Sequence, residues 1–167
     1  MHKKLSFSLI EESKILHDDQ EITLKIENYL MKDGFKKHQI YSVKGQDKIG
    51  NFEIFRTFKD FLEIRTILMK RWPGCYVPPL PQEKMIGNLN KENVEERSKY
   101  IEEFCRKLAN LKYLYYSTEF QLFLRGAKNN SELEKIYKGL GEQKYEELIE
   151  KYAKIFYDLN GVCFIIY

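Results

Sequence analysis

Basic and aromatic side chains are the residues of this sequence with the clearest capacity for binding chemistry. Arg56 and Lys59 flank the aromatic Phe58, and two further cations, Lys84 and Arg97, follow along the chain. Guanidinium and ammonium groups bind phosphate or carboxylate oxygens through charge-assisted hydrogen bonds, and an aromatic ring offers a flat ligand an apolar face. A fold that brings these cations together around Phe58 would therefore create an anion-binding site.

Catalytic motifs are absent from the sequence. The close glycine pair Gly139 and Gly141 has no third glycine at the spacing of a dinucleotide-binding loop, and no Walker A sequence occurs. The three histidines, His2, His17 and His38, show neither metal-ligand spacing nor a partnership with a nucleophile. The sequence therefore predicts a protein that is not an enzyme and that holds neither a metal nor a cofactor.

Composition and charge narrow the class of protein further. The chain has 28 Lys and Arg residues against 25 Asp and Glu residues, a net charge of +3, and acidic residues interleave the basic ones. Nucleic acid is therefore not an expected partner. The hydrophobic fraction of 43% indicates a packed globular interior. The three cysteines form no C-x-x-C pair, which favours reduced thiols in a cytosolic protein. No stretch approaches the roughly 20 apolar residues of a membrane span.

Period-2 alternation predicts strands in the first part of the chain. In the first run, Ile22, Leu24 and Ile26 alternate with polar residues, as in a half-buried strand. Three such runs occur, over residues 22–30, 39–43 and 51–58. Because short links join them, they predict an antiparallel meander.

Helical spacing follows the strands. Apolar residues recur at helical intervals from Phe58 to Arg71, and Trp72-Pro-Gly74 ends this helix. The proline-rich residues 76–81 predict an extended segment. A second helix is expected from Asn93 and a short one after the cap residue Ser117. Strands followed by helices predict an α+β class: a three-stranded antiparallel meander packed on a helical subdomain with a proline-rich loop, plus a C-terminal helical extension.

The predicted domain boundaries follow these patterns. Residues 1–19 form a leader without an assigned structure, 20–125 the main domain, 126–131 a linker, 132–160 an amphipathic helical extension and 161–167 an apolar tail. The extension carries apolar residues at steps of 3, 4, 3 and 4, namely Tyr145, Leu148, Tyr152, Ile155 and Leu159. This spacing predicts either a coiled coil, through which residues 145–159 join a second copy or a partner helix, or a helix packed on the domain's own surface.

The succession of motifs has a counterpart in a known family. A meander ends in Phe55-Arg-Thr-Phe-Lys-Asp-Phe61, and a helix, Pro78-Pro-Leu-Pro81 and a helix that carries Arg97 follow it. The domain closes at Phe120-Gln-Leu-Phe-Leu124. Over residues 20–125 this order resembles the PX (phox homology) domain found in sorting nexins. The resemblance implies a peripheral module of membrane trafficking. Such a module binds phosphoinositide lipids, most often phosphatidylinositol 3-phosphate, on cytosolic faces of endosomal or other endomembranes.

The resemblance also implies roles for particular residues. Phe58 matches the aromatic residue that stacks under the inositol ring, and Arg97 matches the arginine that reaches the ring hydroxyls or distal phosphates. Lys59 falls at a position where a serine or a basic residue often sits. Two of these residues have a second interpretation, because Phe58 also begins the apolar stripe of its helix and a buried carboxylate would satisfy Arg97 as well as a phosphate.

Thr57 is the main departure from the family pattern. The position before the aromatic residue usually carries the arginine that grips the 3-phosphate, and a neutral hydroxyl cannot form that bidentate bond. Thr57-x-x-Asp60 also fits a capping box at the start of a helix. Arg56 stands one residue earlier and would point to the opposite face of a strand, so it replaces the missing arginine only if a bulge re-aims it.

The proline-rich loop departs from the pattern as well. A family lysine commonly stands two positions after the last proline of the loop, whereas here that residue is Glu83 and the lysine is Lys84. Lys84 is either a phosphate contact or a solvated lysine. Met85 and Ile86 either insert into the bilayer or pack beneath the loop. The leading hypothesis is a phosphoinositide-binding module with an atypical pocket, and the alternative is a PX-fold scaffold for protein interaction without strong lipid binding.

Overall fold

A three-stranded antiparallel sheet forms the first part of the fold. The computed structural model of the protein describes residues 22–33, 36–81, 91–127 and 130–160. The strands are β1 (Thr23–Asp33), β2 (Lys36–Asp47) and β3 (Gly50–Arg56), paired in the order β1-β2-β3. The predicted meander is confirmed. The second strand is longer than its apolar run, because the polar residues 44–47 continue the pairing with β3.

The turn between β2 and β3 is fixed by a buried carboxylate. Asp47 Oδ1 accepts hydrogen bonds from the N–H groups of Ile49 and Gly50 at 2.8 and 3.2 Å. The same oxygen accepts from Arg125 Nη2 at 2.7 Å, and Tyr115 donates its hydroxyl to Asp47 Oδ2 at 2.8 Å. Gly50 has φ of +130°, a conformation that favours glycine. The turn is thereby tied to the helical part of the domain.

Helices follow the sheet in the described part of the chain. They are α1 (Phe58–Arg71), α2 (Lys91–Asn110), α3 (Lys112–Tyr115), α4 (Thr118–Gln121), a π-helical turn (Leu122–Gly126) and α5 (Asn130–Gly139). The first helix has the predicted bounds and ends at Trp72, and Ser117 accepts a hydrogen bond from the Phe120 N–H at the predicted cap. The α+β class is confirmed.

Aromatic rings join the sheet to the helices. The Phe61 ring meets Tyr41 of β2 edge-on at a centroid distance of 6.3 Å and Phe123 at 5.2 Å. Phe123 in turn stacks on Phe120 at 5.7 Å. The fixed orientation of these buried rings sets the height of α1 above the sheet and therefore positions the residues at its start.

The proline-rich segment is partly buried. Val77, Pro78 and Leu80 are buried, and Pro79 is exposed. Arg65 donates from Nε to the Pro78 carbonyl at 2.9 Å. The non-helical course of this segment is confirmed.

Helix α5 belongs to the same compact unit as the sheet. The structure separates into two compact units, of which one is Gln20–Gly141 and the other includes Glu142–Tyr167. Within the first unit, the π-helical turn ends at Gly126 and α5 begins at Asn130, both inside the predicted 126–131 linker. Leu133 of α5 is buried and anchors that helix.

The second unit contributes one helix to the described residues, α6 (Tyr145–Asn160). Its first turns carry exposed apolar side chains, with Tyr145 at 71% and Ile149 at 50% exposure. Over the ranges that the structure describes, no helix combines the length and apolar character needed to cross a bilayer.

Candidate anion-binding site

Thr57 and Asp60 form the start of α1. The Asp60 carboxylate accepts hydrogen bonds from the backbone N–H and from the hydroxyl of Thr57, and the Asp60 N–H bonds the Thr57 carbonyl at 3.1 Å. The capping-box interpretation of Thr57 is confirmed. Because the Thr57 hydroxyl donates its proton to Asp60, this residue supplies neither a cation nor that proton to a ligand.

Phe58 is the first residue of α1 and lies in the core. Its side chain is almost fully buried. The guanidinium carbon of Arg97 lies 5.4 Å from the centroid of its ring. At this distance the ring quadrupole attracts the cation. The structure therefore brings two of the predicted site residues together, one from α1 and one from α2.

Arg97 occupies the inner side of α2. Its side chain is 6% exposed. A hydrogen bond at 3.0 Å from Asn28 Nδ2 of β1 to the Ser98 hydroxyl holds this part of α2 against the sheet. Helix α2 begins at Lys91, two residues before the predicted start, so Arg97 lies in the second turn. Because the helix dipole acts within the first turn, its repulsion of Arg97 is small.

Lys59 lies beside Phe58 and is exposed. Its ammonium group is in contact with solvent. A solvated lysine attracts anions over a distance of about one Debye length, roughly 8 to 10 Å at physiological salt.

Arg56 is buried in the interior of the fold. Its side chain is 1% exposed, and Nη2 donates to the carbonyls of Phe123 and Ala127 at 2.8 and 2.7 Å. The guanidinium carbon also lies 5.2 Å from the centroid of the Phe123 ring. Burial lowers the pKa of Arg56. No described bulge turns this side chain toward Arg97, and its contacts are those of a residue that holds the π-helical turn on β3.

The remaining candidates, Lys84, Met85 and Ile86, lie outside the described residues together with Glu83. Their roles as a phosphate contact and as membrane-inserting residues stay predictions.

Two buried polar side chains of β2 lie outside the set of residues that the sequence predicts for the site. Gln39 and Tyr41 are buried, yet within the described structure neither the Gln39 Nε2 atom nor the Tyr41 hydroxyl has a hydrogen-bond partner. Burial raises the pKa of Tyr41 to about 12, and the charge of Arg97 opposes that rise. The signal in the sequence was Gln39, a polar residue in the alternating run with Tyr41 and Val43 on the core side.

Comparisons with known proteins bear on the family that the sequence resembles. The family model described as "PX domain" matches residues 46–126. Over these residues the chain is similar to PX domains, and the predicted resemblance is confirmed. The match includes both residues of the cation–ring contact, Phe58 and Arg97.

Several sequence relatives have names that refer to protein sorting or to sorting nexins. The chain is 29% identical over 102 residues to vacuolar protein sorting-associated protein vps5 of Schizosaccharomyces pombe, a match of 58% of this chain and 18% of that protein. It is 27% identical over 99 residues to human sorting nexin-10, covering 59% and 49% of the two chains. Human sorting nexin-7 is 28% identical over 85 residues, which cover 48% and 22%.

These matches span half or less of the length of each relative. A solved structure of a designed CISK-PX domain aligns with 63% of this chain and 98% of that chain, at a TM-score of 0.48 and 19% identity.

Proposed function

We propose that this chain is a non-catalytic module that binds phosphoinositide headgroups and thereby docks on the cytosolic faces of endomembranes. The observation that carries the proposal is the contact between Arg97 and Phe58 inside a PX domain. The ring offers an apolar face to the inositol ring, and the guanidinium offers several donors in a fixed plane to phosphate or hydroxyl oxygens. Phosphatidylinositol 3-phosphate on endosomal membranes is the first lipid to test.

The proposed pocket is atypical because of Thr57. The family usually supplies a second arginine there, whereas the Thr57 hydroxyl is bonded to Asp60. Charge-assisted bonds are roughly twice as strong as neutral ones, so a pocket without this arginine binds the 3-phosphate more weakly. A low affinity or an altered lipid preference is therefore part of the proposal.

Contacts at the membrane surface complete the proposed docking. Lys59 is exposed and adds positive charge near the headgroup. Lys84 would add a second surface cation, and Met85 and Ile86 would enter the bilayer interface. Surface cations near anionic lipid contribute about 1 kcal/mol each, so these residues would convert a weak pocket into measurable docking.

Self-association through α6 is a further part of the proposal. The apolar spacing of residues 145–159 fits a seam between two copies of the chain. Two linked pockets bind one membrane with an avidity above the affinity of either pocket, and no new lipid contact is required.

Vesicle sedimentation tests the proposal. Wild type is compared with Arg97→Gln, which removes the charge, and with Arg106→Gln, a matched change at an exposed position of the same helix. Vesicles carry one phosphoinositide at a time. We expect wild type to sediment with at least one of them, Arg97→Gln to bind about tenfold more weakly, and Arg106→Gln to bind as wild type does.

A wild type that ignores every phosphoinositide would overturn the lipid proposal in favour of a PX-fold scaffold. Thermal unfolding of each variant establishes that Arg97→Gln is folded at the assay temperature.

A further inference from the structure

Two neighbouring polar groups on the inner face of β2 have no partner in the described structure. They are the Gln39 Nε2 amide, in a side chain that is 7% exposed, and the Tyr41 hydroxyl, in a side chain that is 0% exposed. Nearly all buried polar groups of folded proteins are hydrogen-bonded, because a buried donor without a partner loses its bonds to water. Two such groups at neighbouring positions on one face of β2 are therefore available to hydrogen-bond a ligand.

Their place in the sheet is set by the register. Tyr41 pairs with Arg56, which is the last residue of β3. Gln39 precedes Tyr41 by two residues in β2 and so lies beyond the end of β3. At this end of the sheet, Thr57 connects β3 to α1. Side chains at positions i and i+2 share a face and lie roughly 6.5 to 7 Å apart, about the width of a substituted inositol ring.

Tyr41 is linked to the start of α1. Its ring meets the Phe61 ring at 6.3 Å, and Phe61 lies one helical turn after Phe58. The ring of Tyr41 therefore extends from β2 toward the same helical face that presents Phe58 to Arg97.

Tyr41 is also linked to α2 through β1. Asn28 pairs with Tyr41 across the sheet and donates to the hydroxyl of Ser98, the residue after Arg97. The charge of Arg97 acts on the Tyr41 phenol, where it opposes the effect of burial on the pKa. Both helices thus converge on the part of β2 that carries the two unpartnered groups.

We infer that Gln39 and Tyr41 form the floor of the headgroup pocket, where their side chains hydrogen-bond oxygen atoms of the phosphorylated inositol ring held by Arg97. This inference rests on the proposed function. In this pocket, which has no arginine at position 57, the two neutral side chains on β2 would select among phosphoinositide headgroups. A site built to bond a ligand oxygen rejects ligands that lack it, because its own buried groups are then left unpaired.

A ligand-binding role and a purely structural role of these two side chains predict different effects of substitution on stability and on binding. Removal of a partnered buried group destabilises a fold, whereas removal of an unpartnered one is neutral or stabilising. Tyr41→Phe and Gln39→Leu are therefore expected to unfold at the same temperature as wild type or above it. The same variants are expected to bind the headgroup roughly threefold to tenfold more weakly, the loss typical of one neutral hydrogen bond.

Tyr115→Phe provides the matched control. The Tyr115 side chain is fully buried like that of Tyr41, but its hydroxyl donates to Asp47 at 2.8 Å. This variant is expected to unfold at a lower temperature and, once folded, to bind as wild type does. Binding is measured with vesicles that contain the phosphoinositide preferred by wild type and by calorimetric titration with its soluble inositol phosphate headgroup.

The outcomes separate the inference from the proposed function. Weaker binding of both probes by Tyr41→Phe or Gln39→Leu, at unchanged or raised stability, supports the inference. It is overturned if both variants bind as wild type does while Arg97→Gln does not, a result that leaves the proposed function standing. Lower stability of both variants, or a loss confined to vesicles, also overturns it. If wild type binds neither probe, the proposed function fails and the inference fails with it.

Discussion

Asp60 Oδ2 accepts hydrogen bonds from both the backbone N–H and the hydroxyl of Thr57, at 2.6 and 2.8 Å. Thr57, which occupies the position of the family arginine, therefore caps the N-terminus of α1. Asp60 remains able to accept the backbone N–H of whatever residue occupies position 57. A cationic side chain can therefore be introduced at position 57 while the backbone hydrogen bond that caps α1 is kept.

Thr57→Arg is expected to create tighter binding to phosphatidylinositol 3-phosphate. The new guanidinium precedes Phe58, and a charge-assisted bond to phosphate contributes about 1.5 to 3 kcal/mol, a gain of tenfold or more. Loss of the Thr57 hydroxyl costs about 1 kcal/mol of folding stability. Vesicle sedimentation measures the first effect and urea unfolding the second.

Thr57→Gln is the control for this substitution, since it removes the same hydroxyl and adds a long side chain without charge. It is expected to lose the same stability and to gain no affinity. Equal binding by Thr57→Arg and Thr57→Gln would contradict a pocket in which position 57 faces the 3-phosphate.

Arg56→Met is expected to destabilise the domain rather than to weaken lipid binding directly. The change leaves the Phe123 and Ala127 carbonyls without their donors and empties space beside the Phe123 ring. Breaking a buried charged hydrogen-bond network costs about 3 kcal/mol. Urea unfolding measures this cost, with the exposed Arg106→Met as the control. Unchanged stability with lost vesicle binding would instead make Arg56 a headgroup ligand.

The order of elements was predictable because local patterns decide it. Alternation in the strands, the apolar stripe of α1 and the cap at Ser117 depend on neighbouring residues, and all three are confirmed. The start of α2 was missed by two residues because Asn93 resembled a cap, although the helix already begins at Lys91.

The interior of the candidate site was harder to predict, because it depends on contacts between distant segments. Nothing in the sequence around Arg56 indicates that its guanidinium would reach carbonyls 67 and 71 residues away. The unpartnered hydroxyl of Tyr41 is equally invisible in the sequence, since an aromatic residue on the core face of a strand usually indicates packing.

Alkaline pH is expected to destabilise the domain through its buried tyrosines. Burial raises the pKa of Tyr41 from 10.0 to about 12, so the folded state holds this proton more tightly than the unfolded state. The corresponding stability is complete below pH 10 and is lost as the pH rises toward 12.

Tyr41→Phe removes this contribution, so its stability is expected to fall less steeply than that of wild type between pH 10 and pH 12. Denaturation midpoints in urea at several pH values give the two slopes. Tyr113→Phe is a milder comparison, because its phenol is only half-buried and its pKa is also raised by burial. Parallel slopes for wild type and Tyr41→Phe would show that the Tyr41 phenol ionises equally in the folded and unfolded states.

Tyr145→Lys is expected to weaken self-association of the chain without unfolding it. Tyr145 belongs to the apolar seam of α6 but is 71% exposed, so the substitution removes little packing within one copy. Two lysines brought together across a seam between copies repel each other and expose apolar neighbours. Sedimentation velocity over a range of concentrations is expected to show a reversible dimer for wild type. For Tyr145→Lys the dimer dissociation constant is expected to be at least about fivefold larger, as for loss of one good interface contact.

Glu146→Lys is the control for this substitution, because it introduces a lysine one residue away and off the seam. It is expected to leave the dimer dissociation constant unchanged. A wild type that stays monomeric at every concentration would instead favour a helix packed within its own chain, and avidity would then play no part in docking.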